Sequence, residues 1–167
     1  MSNISVLVLM GSDSDAPVMQ AAVDVLREFE ISCEMTVASA HRSPERVMRL
    51  VSEAPGRGVK VFIVGAGAAA HLAGVVAAHT TLPVIGVPID SSALKGLDAL
   101  LSTVQMPPGV PVATVSIGKP GATNAGVLAA QILAVADPKL AGTLQGYKRT
   151  LADKVERAAA RLQEQKP

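Results

Sequence analysis

Residues 61–89 read VFIVGAGAAAHLAGVVAAHTTLPVIGVPI and contain no Asp, Glu, Lys or Arg. An uncharged stretch of this length is long enough for a membrane-spanning helix. Gly65 and Gly67 interrupt it, and Pro83 opens a second run rich in β-branched residues. We therefore interpret the stretch as a strand, a helix and a second strand at the centre of a buried sheet, with no membrane partner.

The same alternation extends over the rest of the 167-residue chain. Between apolar runs rich in β-branched residues lie segments whose apolar positions have helical spacing; the runs cover 4–10, 32–38, 60–65, 83–88 and 112–117. This pattern predicts an α/β fold, a three-layer, flavodoxin-like, doubly wound parallel sheet. No stretch has the composition of a linker, so we expect 1–167 to form a single domain.

Two helices have recognisable features. Ser43 is a plausible N-cap for the second helix, with Pro44 at its first helical position. A regular apolar stripe begins at Leu140 and predicts a long C-terminal helix, about 138–165. Because 49% of the residues are hydrophobic and only 17% are charged, we expect this helix to pack on neighbouring subunits of a homo-oligomer. A helix folded back on its own domain would show the same stripe.

The composition argues against nucleic acid as a partner. Fifteen basic and fourteen acidic residues give a net charge of +1, without the basic excess that binding to phosphate backbones requires. Aromatic residues make up 2% of the chain and Trp is absent, so stacking platforms for bases are lacking.

Cysteine usage and the first residues bear on the compartment. Cys33 is the single cysteine, which excludes an internal disulfide framework and suits a reducing compartment. It alternates with Met35 and Val37, which favours a core role. The start MSNISVLVLM has neither a basic segment nor a convincing cleavage site, so we expect no signal peptide and a cytoplasmic protein.

Three unusual segments follow the first three predicted strands: MGSDSD (10–15), SAHRSP (39–44) and GAGAAAH (65–71). In parallel α/β sheets, ligands bind beyond the carboxyl ends of the strands. We therefore expect a binding site there. The third segment lacks the third glycine of a dinucleotide fingerprint, and the chain contains neither a phosphate-binding P-loop nor a G-x-S-x-G nucleophile motif.

The first segment has the features of an anion site. Gly11 allows close backbone approach, Ser12 and Ser14 offer hydroxyls, and the following helix N-terminus favours a phosphate. Asp15 could accept hydrogen bonds from ribose hydroxyls. Alternatively, Ser14 or Asp15 could simply cap the helix. For Asp15 the two interpretations have equal weight, since one side chain can do both.

In the second segment, His41 is the best candidate for proton transfer because histidine titrates near neutral pH and the residue occupies a loop at the ligand edge. Arg42 can bind a phosphate through two parallel hydrogen bonds. A lone loop histidine is more often structural than catalytic. The three histidines, His41, His71 and His79, lack metal-ligand spacing, so we expect no metal. In the third segment, Ala69 and Ala70 are expected to pack a helix against the sheet.

In their order and spacing, six motifs together resemble the PurE family of N5-carboxyaminoimidazole ribonucleotide mutases: MGSDSD, SAHRSP, GAGAAAHLAG, LPVIGVP, VQMPPGVPVATVSIG and NAGVLAAQIL. The resemblance runs from about Val6 to the final helix. It implies a transfer of a carboxyl group from the exocyclic nitrogen of an imidazole ribonucleotide to ring carbon 4, in de novo purine synthesis. It also implies no metal, ATP or organic cofactor, an octamer, and a functional link to the ATP-dependent carboxyaminoimidazole ribonucleotide synthase.

The resemblance also implies roles for individual residues. His41 matches the catalytic histidine of the family, which would shuttle a proton between the nitrogen and carbon 4 while carbon dioxide stays in a closed site. The positions that match substrate-binding or pocket-lining residues, together with the neighbouring hydroxyl of Ser14, are Ser12, Asp15, Ser39, Arg42, Ala66, Gly67, His71 and Leu72.

The chain departs from the family pattern at two positions. Many relatives read GAGGAAHLPG, where this chain has Ala68 and Ala73, so loop closure could differ. A second class of the family carboxylates aminoimidazole ribonucleotide directly and typically has Lys after the motif histidine; Arg42 and AAAHL favour the mutase. A non-catalytic flavodoxin-like nucleotide-binding module is a further alternative, but a phosphoacceptor receiver would need an aspartate where the chain has Gly65 and Ala66.

Overall fold

The computed structural model of the chain describes residues 4–164. Two compact units are distinguished, one ending at Ala129 and the other beginning at Ala130. The first contains the whole sheet, and the second contains the long C-terminal helix.

The sheet has five strands, all parallel, in the order β2-β1-β3-β4-β5. The strands are β1 (Val6–Met10), β2 (Cys33–Val37), β3 (Val61–Gly67), β4 (Val84–Ile89) and β5 (Ala113–Thr114). This order is the flavodoxin-like arrangement, so the predicted fold class is confirmed. The residues of β1, β3 and β4 are buried on both faces of the sheet, apart from Gly67 at the end of β3.

Within residues 4–164, six α-helices accompany the strands: α1 (Ala16–Glu28), α2 (Pro44–Glu53), α3 (Leu72–Ala78), α4 (Leu97–Val104), α5 (Gly118–Ala134) and α6 (Pro138–Glu164). The uncharged stretch 61–89 therefore forms β3, α3 and β4, as predicted. No helix in the described range 4–164 is long and apolar enough to cross a membrane.

The helices cover both faces of the sheet. Leu7 and Phe62 belong to one apolar cluster with residues of α2, α3 and α4. On the opposite face, Met19 of α1 packs directly against Gly65. A Cβ atom added at Gly65 would lie only 2.3 Å from the Met19 sulfur. Met19 is fully buried. Gly65 thus lets α1 approach the end of β3, which brings the start of α1 to the carboxyl edge of the sheet.

The start of α2 agrees with the sequence in position but not in bonding. Pro44 is the first helical residue and Ser43 precedes it, as predicted, yet the Ser43 hydroxyl makes no hydrogen bond to the helix. It accepts instead from the Ser39 N–H at 3.1 Å and donates to the Ser39 carbonyl at 3.2 Å. Ser43 is thus the N-cap residue, as predicted, but a contact within the loop uses the hydroxyl that would otherwise cap the helix.

The predicted core role of Cys33 needs a correction. Cys33 lies on β2, an edge strand, and is only half-buried. Burial raises the pKa of the Cys33 thiol, and the Arg27 charge opposes this effect. A raised pKa lowers the thiolate fraction, so the residue remains a poor nucleophile even though it is not in the core.

In the second unit, α6 begins and ends close to the predicted bounds. Three apolar side chains of the predicted stripe are exposed: Leu151 at 42%, Val155 at 67% and Leu162 at 69%. The first residue of the stripe, Leu140, is buried at 8% exposure. The exposed part of the stripe therefore lies in the second half of α6.

Candidate active site

A cleft of about 320 Å³ lies at the carboxyl ends of β1, β2 and β3. Its volume is in the range of small-molecule sites. All three segments selected from the sequence contribute to its wall, together with one residue that follows β4; the lining residues are Gly11, Ser12, Ser14, Asp15, Ser39, Ala40, His41, Arg42, Ala66, Gly67, Ala69, Leu72 and Ser91.

The first loop is a 3-10 turn over Asp13–Asp15 with Ser12 as its N-cap. The Ser12 hydroxyl accepts from the Ser14 N–H at 3.3 Å, while the Asp15 carboxylate accepts from the Ser12 N–H at 3.2 Å. The Ser14 hydroxyl donates to the Ser12 hydroxyl at 2.8 Å. This reciprocal capping box fixes both hydroxyls in the cleft wall. The cap of the turn is thus Ser12, while Asp15 makes no side-chain cap to α1.

The carboxylate of Asp15 is buried at 6% exposure. Burial is the largest effect and raises the pKa of Asp15 above its ordinary value. The hydrogen bond from the Ser12 N–H lowers this pKa, the nearby charge of Asp13 raises it, and the charge of Arg42 lowers it, in decreasing order of effect. The net direction is upward, so the charged form of this carboxylate is held at a cost in free energy.

The second loop is closed by hydrogen bonds at its base. Besides the two bonds of the Ser43 hydroxyl, the Ser43 N–H donates to the Ser39 carbonyl at 2.9 Å, and the Ser39 hydroxyl accepts from the Arg42 N–H at 3.2 Å. The Arg42 guanidinium reaches across to the first loop and donates to the Gly11 carbonyl at 2.9 Å. A cation therefore stands beside the hydroxyls of the first loop, as a phosphate site requires.

Two imidazole rings meet at the opening of the cleft. Nε2 of His41 lies 2.8 Å from Nδ1 of His71, and the rings meet edge to face at 84°. One ring donates and the other accepts in this bond, which fixes their relative tautomers. Both side chains are exposed to solvent. Because an imidazole can act as an acid or as a base, this pair is the candidate for proton transfer in the cleft.

The third loop joins β3 to α3 through small residues. The backbone at Gly67 passes close to Ser91. A Cβ atom at position 67 would lie 1.8 Å from the Ser91 hydroxyl oxygen, so this position favours glycine. Ala68 has a φ of 50°, in the left-handed region. Ala70 is buried at 1% exposure, as the packing interpretation expects, but Ala69 is exposed and lines the cleft, so that interpretation was wrong for Ala69. Ala73, the other departure from the family pattern, is buried in α3.

The structure brings the residues singled out in the sequence into one place. Nine of the ten, all except His71, line the cleft, and His71 is bonded to His41. Within residues 4–164, no group of three or more His, Cys, Asp and Glu side chains could hold a metal ion. The arrangement suits a phosphorylated small molecule, bound by hydroxyls and a guanidinium, with a proton-transfer pair beside it.

Sequence reasoning missed Ser91, which lies two residues after the end of β4. A usable signal was available, because β4 is parallel to β3 and the carboxyl ends of parallel strands share one edge of the sheet. Its contact with Gly67 could not be read from the sequence, since the two residues are far apart in the chain.

Comparison with known proteins gives consistent matches. The family model described as AIR carboxylase matches residues 5–154. A protein from Pyrococcus horikoshii is 52% identical over 157 residues, which cover 94% of this chain and 88% of that protein. A Bacillus subtilis protein is 58% identical over 137 residues, covering 82% and 85% of the two chains. Both are named N5-carboxyaminoimidazole ribonucleotide mutase.

A solved structure shows the same architecture. The crystal structure of Treponema denticola PurE matches with a TM-score of 0.84 and 30% sequence identity, over 94% of this chain and 97% of that one.

Replacing the buried carboxylate should stabilise the protein. Asparagine at position 15 can still accept from the Ser12 N–H but carries no charge. Because folding raises the pKa of Asp15, the protonated carboxyl group favours the folded state. This stabilisation is fully present below the ordinary pKa of 3.8 and is lost as the pH rises through the pKa of the folded protein. Asp15→Asn should therefore unfold at higher urea concentration than the parent at pH 7, with a gap that narrows toward about pH 4.

The matched control is Asp153→Asn, at an exposed site on α6, which should leave the unfolding midpoint nearly unchanged at both pH values. If Asp15→Asn and the parent unfold at the same urea concentration at pH 7, the stated cost of the buried charge is contradicted. A difference between their urea midpoints that grows on acidification would contradict it as well.

Glycine at position 68 should also stabilise the chain. Left-handed backbone costs an L-residue roughly 1–2 kcal/mol, and glycine loses about 0.4–1 kcal/mol through its freer unfolded state. Ala68→Gly should therefore raise the free energy of unfolding by up to about 1 kcal/mol. Ala69→Gly is the control, because Ala69 lacks a positive φ, and it should lower that free energy. If both changes destabilise equally in a urea titration, Ala68 is not strained.

Proposed function

The chain belongs to the family described as AIR carboxylase, whose relatives named above are N5-carboxyaminoimidazole ribonucleotide mutases, as its motifs predicted. From this membership we propose that it is an isomerase with a role in purine biosynthesis. It interconverts N5-carboxyaminoimidazole ribonucleotide and 4-carboxy-5-aminoimidazole ribonucleotide. The observation that carries the proposal is the placement of the paired imidazoles of His41 and His71 at the cleft that holds the first-loop hydroxyls and Arg42.

The phosphate of the nucleotide binds at the first loop. Ser12 and Ser14 offer fixed hydroxyls, and Arg42, oriented by its bond to the Gly11 carbonyl, supplies the positive charge. This charge matters because Asp13 and Asp15 lie in the same turn and would otherwise repel an anion. Asp15 accepts from ribose hydroxyls, which compensates for the cost of keeping a buried carboxylate charged.

The reaction adds one proton to the exocyclic nitrogen and removes one proton from carbon 4. In the first step the bond between the exocyclic nitrogen and the carboxyl carbon breaks, carbon dioxide leaves, and the nitrogen takes a proton from His41. In the second step carbon 4 of the ring attacks carbon dioxide, and the proton on carbon 4 passes back to His41. The atoms and the proton balance without an oxidant, a metal or ATP. General acid-base catalysis of this kind contributes about 10²- to 10⁴-fold.

The third loop suits the confinement of carbon dioxide. Ala66, Gly67 and Leu72 form an apolar part of the cleft wall, formed by β3 and the start of α3. Small apolar groups leave room for a linear molecule and offer no nucleophile or general base of their own. Retaining the gas next to the ring replaces a bimolecular recapture by an intramolecular one.

The reaction places the protein in de novo purine synthesis, downstream of an ATP-dependent carboxyaminoimidazole ribonucleotide synthase that supplies the carboxyamino nucleotide. The single cysteine and the biosynthetic relatives support a cytoplasmic location.

Direct carboxylation of aminoimidazole ribonucleotide is the second candidate, favoured by the description of the matching family as AIR carboxylase. One assay separates the two. The purified chain is given either the carboxyamino nucleotide, or aminoimidazole ribonucleotide with bicarbonate, without metal or ATP, and formation of the carbon-carboxylated product is followed. Faster product formation from the carboxyamino nucleotide supports the mutase, whereas faster formation from the second mixture supports the carboxylase.

His41→Asn should abolish most of the interconversion while keeping the fold and nucleotide binding. Asparagine retains bulk and hydrogen bonding but cannot transfer the proton. Single-turnover conversion should fall by about 10²- to 10⁴-fold, and calorimetry with the product nucleotide should show a Kd near that of the parent. Conversion within about tenfold of the parent, below the usual range for acid-base catalysis, would mean that the proton travels by another route.

We also propose that the chain forms a homo-oligomer, an octamer as the family resemblance implies, with α6 packed on neighbouring subunits. Exposed apolar side chains on two helices support this proposal. On α4, Leu97, Leu101 and Val104 are spaced by four and three residues and are 52%, 49% and 46% exposed. On α6, Val155 and Leu162 are exposed to an even greater extent. Regular apolar stripes on a surface are typical of association sites.

The assembly can be measured by sedimentation. The chain should sediment as a species larger than a monomer at micromolar concentration, and Val155→Glu combined with Leu162→Glu should shift it toward smaller species. The control Lys154→Gln changes an exposed polar residue of the same helix and should leave the assembly intact. A parent protein that sediments as a monomer would exclude the proposal.

A further inference from the structure

A residue outside the cleft holds the base of the second loop. Arg46, on α2, donates from Nε to the Val37 carbonyl at 2.8 Å and from Nη2 to the Thr36 hydroxyl at 2.9 Å. Thr36 and Val37 are the last two residues of β2. The guanidinium therefore joins the first turns of α2 to the end of the strand that leads into the loop.

The position of β2 explains why this bond matters. β2 is an edge strand, and its one neighbour in the described sheet is β1. The Ala38 N–H, just after β2, donates to the Met10 carbonyl of β1 at 2.8 Å. Edge strands present unpaired backbone groups on their outer side. Arg46 pairs with one such carbonyl and is itself half-buried. Arg46 thus links the strand that precedes the loop 38–43 to the helix that follows it, in addition to the bonds between Ser39 and Ser43.

The two proposed functional residues of this loop, Arg42 and His41, differ in the contacts that hold their side chains. Arg42 has a tether of its own, the bond from its guanidinium to the Gly11 carbonyl. Among the described residues, the ring of His41 is held by its hydrogen bond to His71, which is exposed and lies on another loop. The placement of His41 relative to the cleft therefore depends more on the base of the loop than the placement of Arg42 does.

We propose that Arg46 is a positioning residue for His41, acting through the hydrogen bonds that join α2 to the end of β2; the inference rests on the proposed function. Loss of these bonds lets the loop shift by a fraction of an ångström to an ångström. A displacement of about 1 Å between reacting groups can cost roughly 100-fold in rate. Arg46 touches neither the cleft nor, by this account, the substrate.

The expected kinetic signature is a split between kcat and KM. Arg46→Met removes both hydrogen bonds at similar length, and should lower kcat by about 10- to 100-fold. KM should change little, because Arg42 retains its tether to the Gly11 carbonyl. Rates are expressed per nucleotide-binding site, counted by calorimetry with the product nucleotide, so that a smaller folded fraction is not mistaken for a slower enzyme.

Three further variants grade the effect. Thr36→Val removes one of the two hydrogen bonds, and Arg46→Lys keeps a charge that can reach one acceptor but not both; both should fall between the parent and Arg46→Met. Arg49→Met is the matched control, an exposed arginine on the same helix, and should match the parent. If Arg46→Met fails to fold, the order of the parent, Arg46→Lys and Thr36→Val decides, and equal kcat values in all three overturn the proposal.

Amide hydrogen exchange tests the positioning without relying on activity. In the parent, the N–H groups of Arg42 and Ser43 are bonded within the loop, and Arg46→Met should speed their exchange while leaving residues 11–15 unchanged. A parent that does not convert the nucleotide refutes the proposed function, and exchange then decides the role of Arg46 alone. Unchanged exchange in Arg46→Met, or a kcat within about threefold of Arg49→Met, well short of the loss expected from displacement, overturns the positioning role.

Discussion

The parallel pairing of β1 with both of its neighbours is the constraint on which the site depends. Met10, the last residue of β1, pairs with Val37 on one side and Gly65 on the other. Three loops therefore leave the sheet close to the same level, although their residues are separated by some thirty positions along the chain. Side chains from the first and second loops can bond directly, as Arg42 and Gly11 do, and so can those of the second and third, as His41 and His71 do. A shift of the register by one residue would separate these partners by about 3.3 Å.

Three features of the loops at the cleft lower the stability of the protein. Asp15 keeps a buried carboxylate, Ala68 adopts left-handed backbone, and Gly67 leaves a strand end without a side chain to pack. Each of these costs is local, and each is offset by the core beneath, where the central strands are buried on both faces. Functional sites are often less stable than the scaffold that holds them. Here the difference follows from a charge, a dihedral angle and a missing side chain, all within a few residues of the sheet edge.

The sequence predicts the fold and most of the cleft, because both are encoded locally. Hydrophobic runs mark the strands, and polar or small-residue segments directly after them mark the ligand edge. The family resemblance supplied several of the individual residues, such as Ser39, Ala66 and Leu72, and nine of the ten proposed residues line the cleft. What the sequence could not supply are contacts between segments that are distant in the chain. The use of the Ser43 hydroxyl on Ser39, the contact of Ser91 with Gly67 and the bonds of Arg46 to the end of β2 all depend on how loops meet after folding. Exposure of Ala69 is a further case, since the beginning of α3 at Leu72 leaves that alanine outside the helix.

The hydrogen bond between the two histidines sets how many protons the pair can hold. A bond from one ring nitrogen to another needs one N–H and one lone pair, so the facing atoms of His41 and His71 cannot both be protonated while the 2.8 Å contact persists. The pair therefore supports one positive charge while intact, and a second would drive the rings apart. The proposed carboxyl transfer takes one proton from the pair at nitrogen and returns one from carbon 4, so the pair carries at most one extra proton, before the first step and after the second. A pair limited to one charge has this capacity, and the limit follows from imidazole geometry, which the positions of the second and third loops impose on the rings.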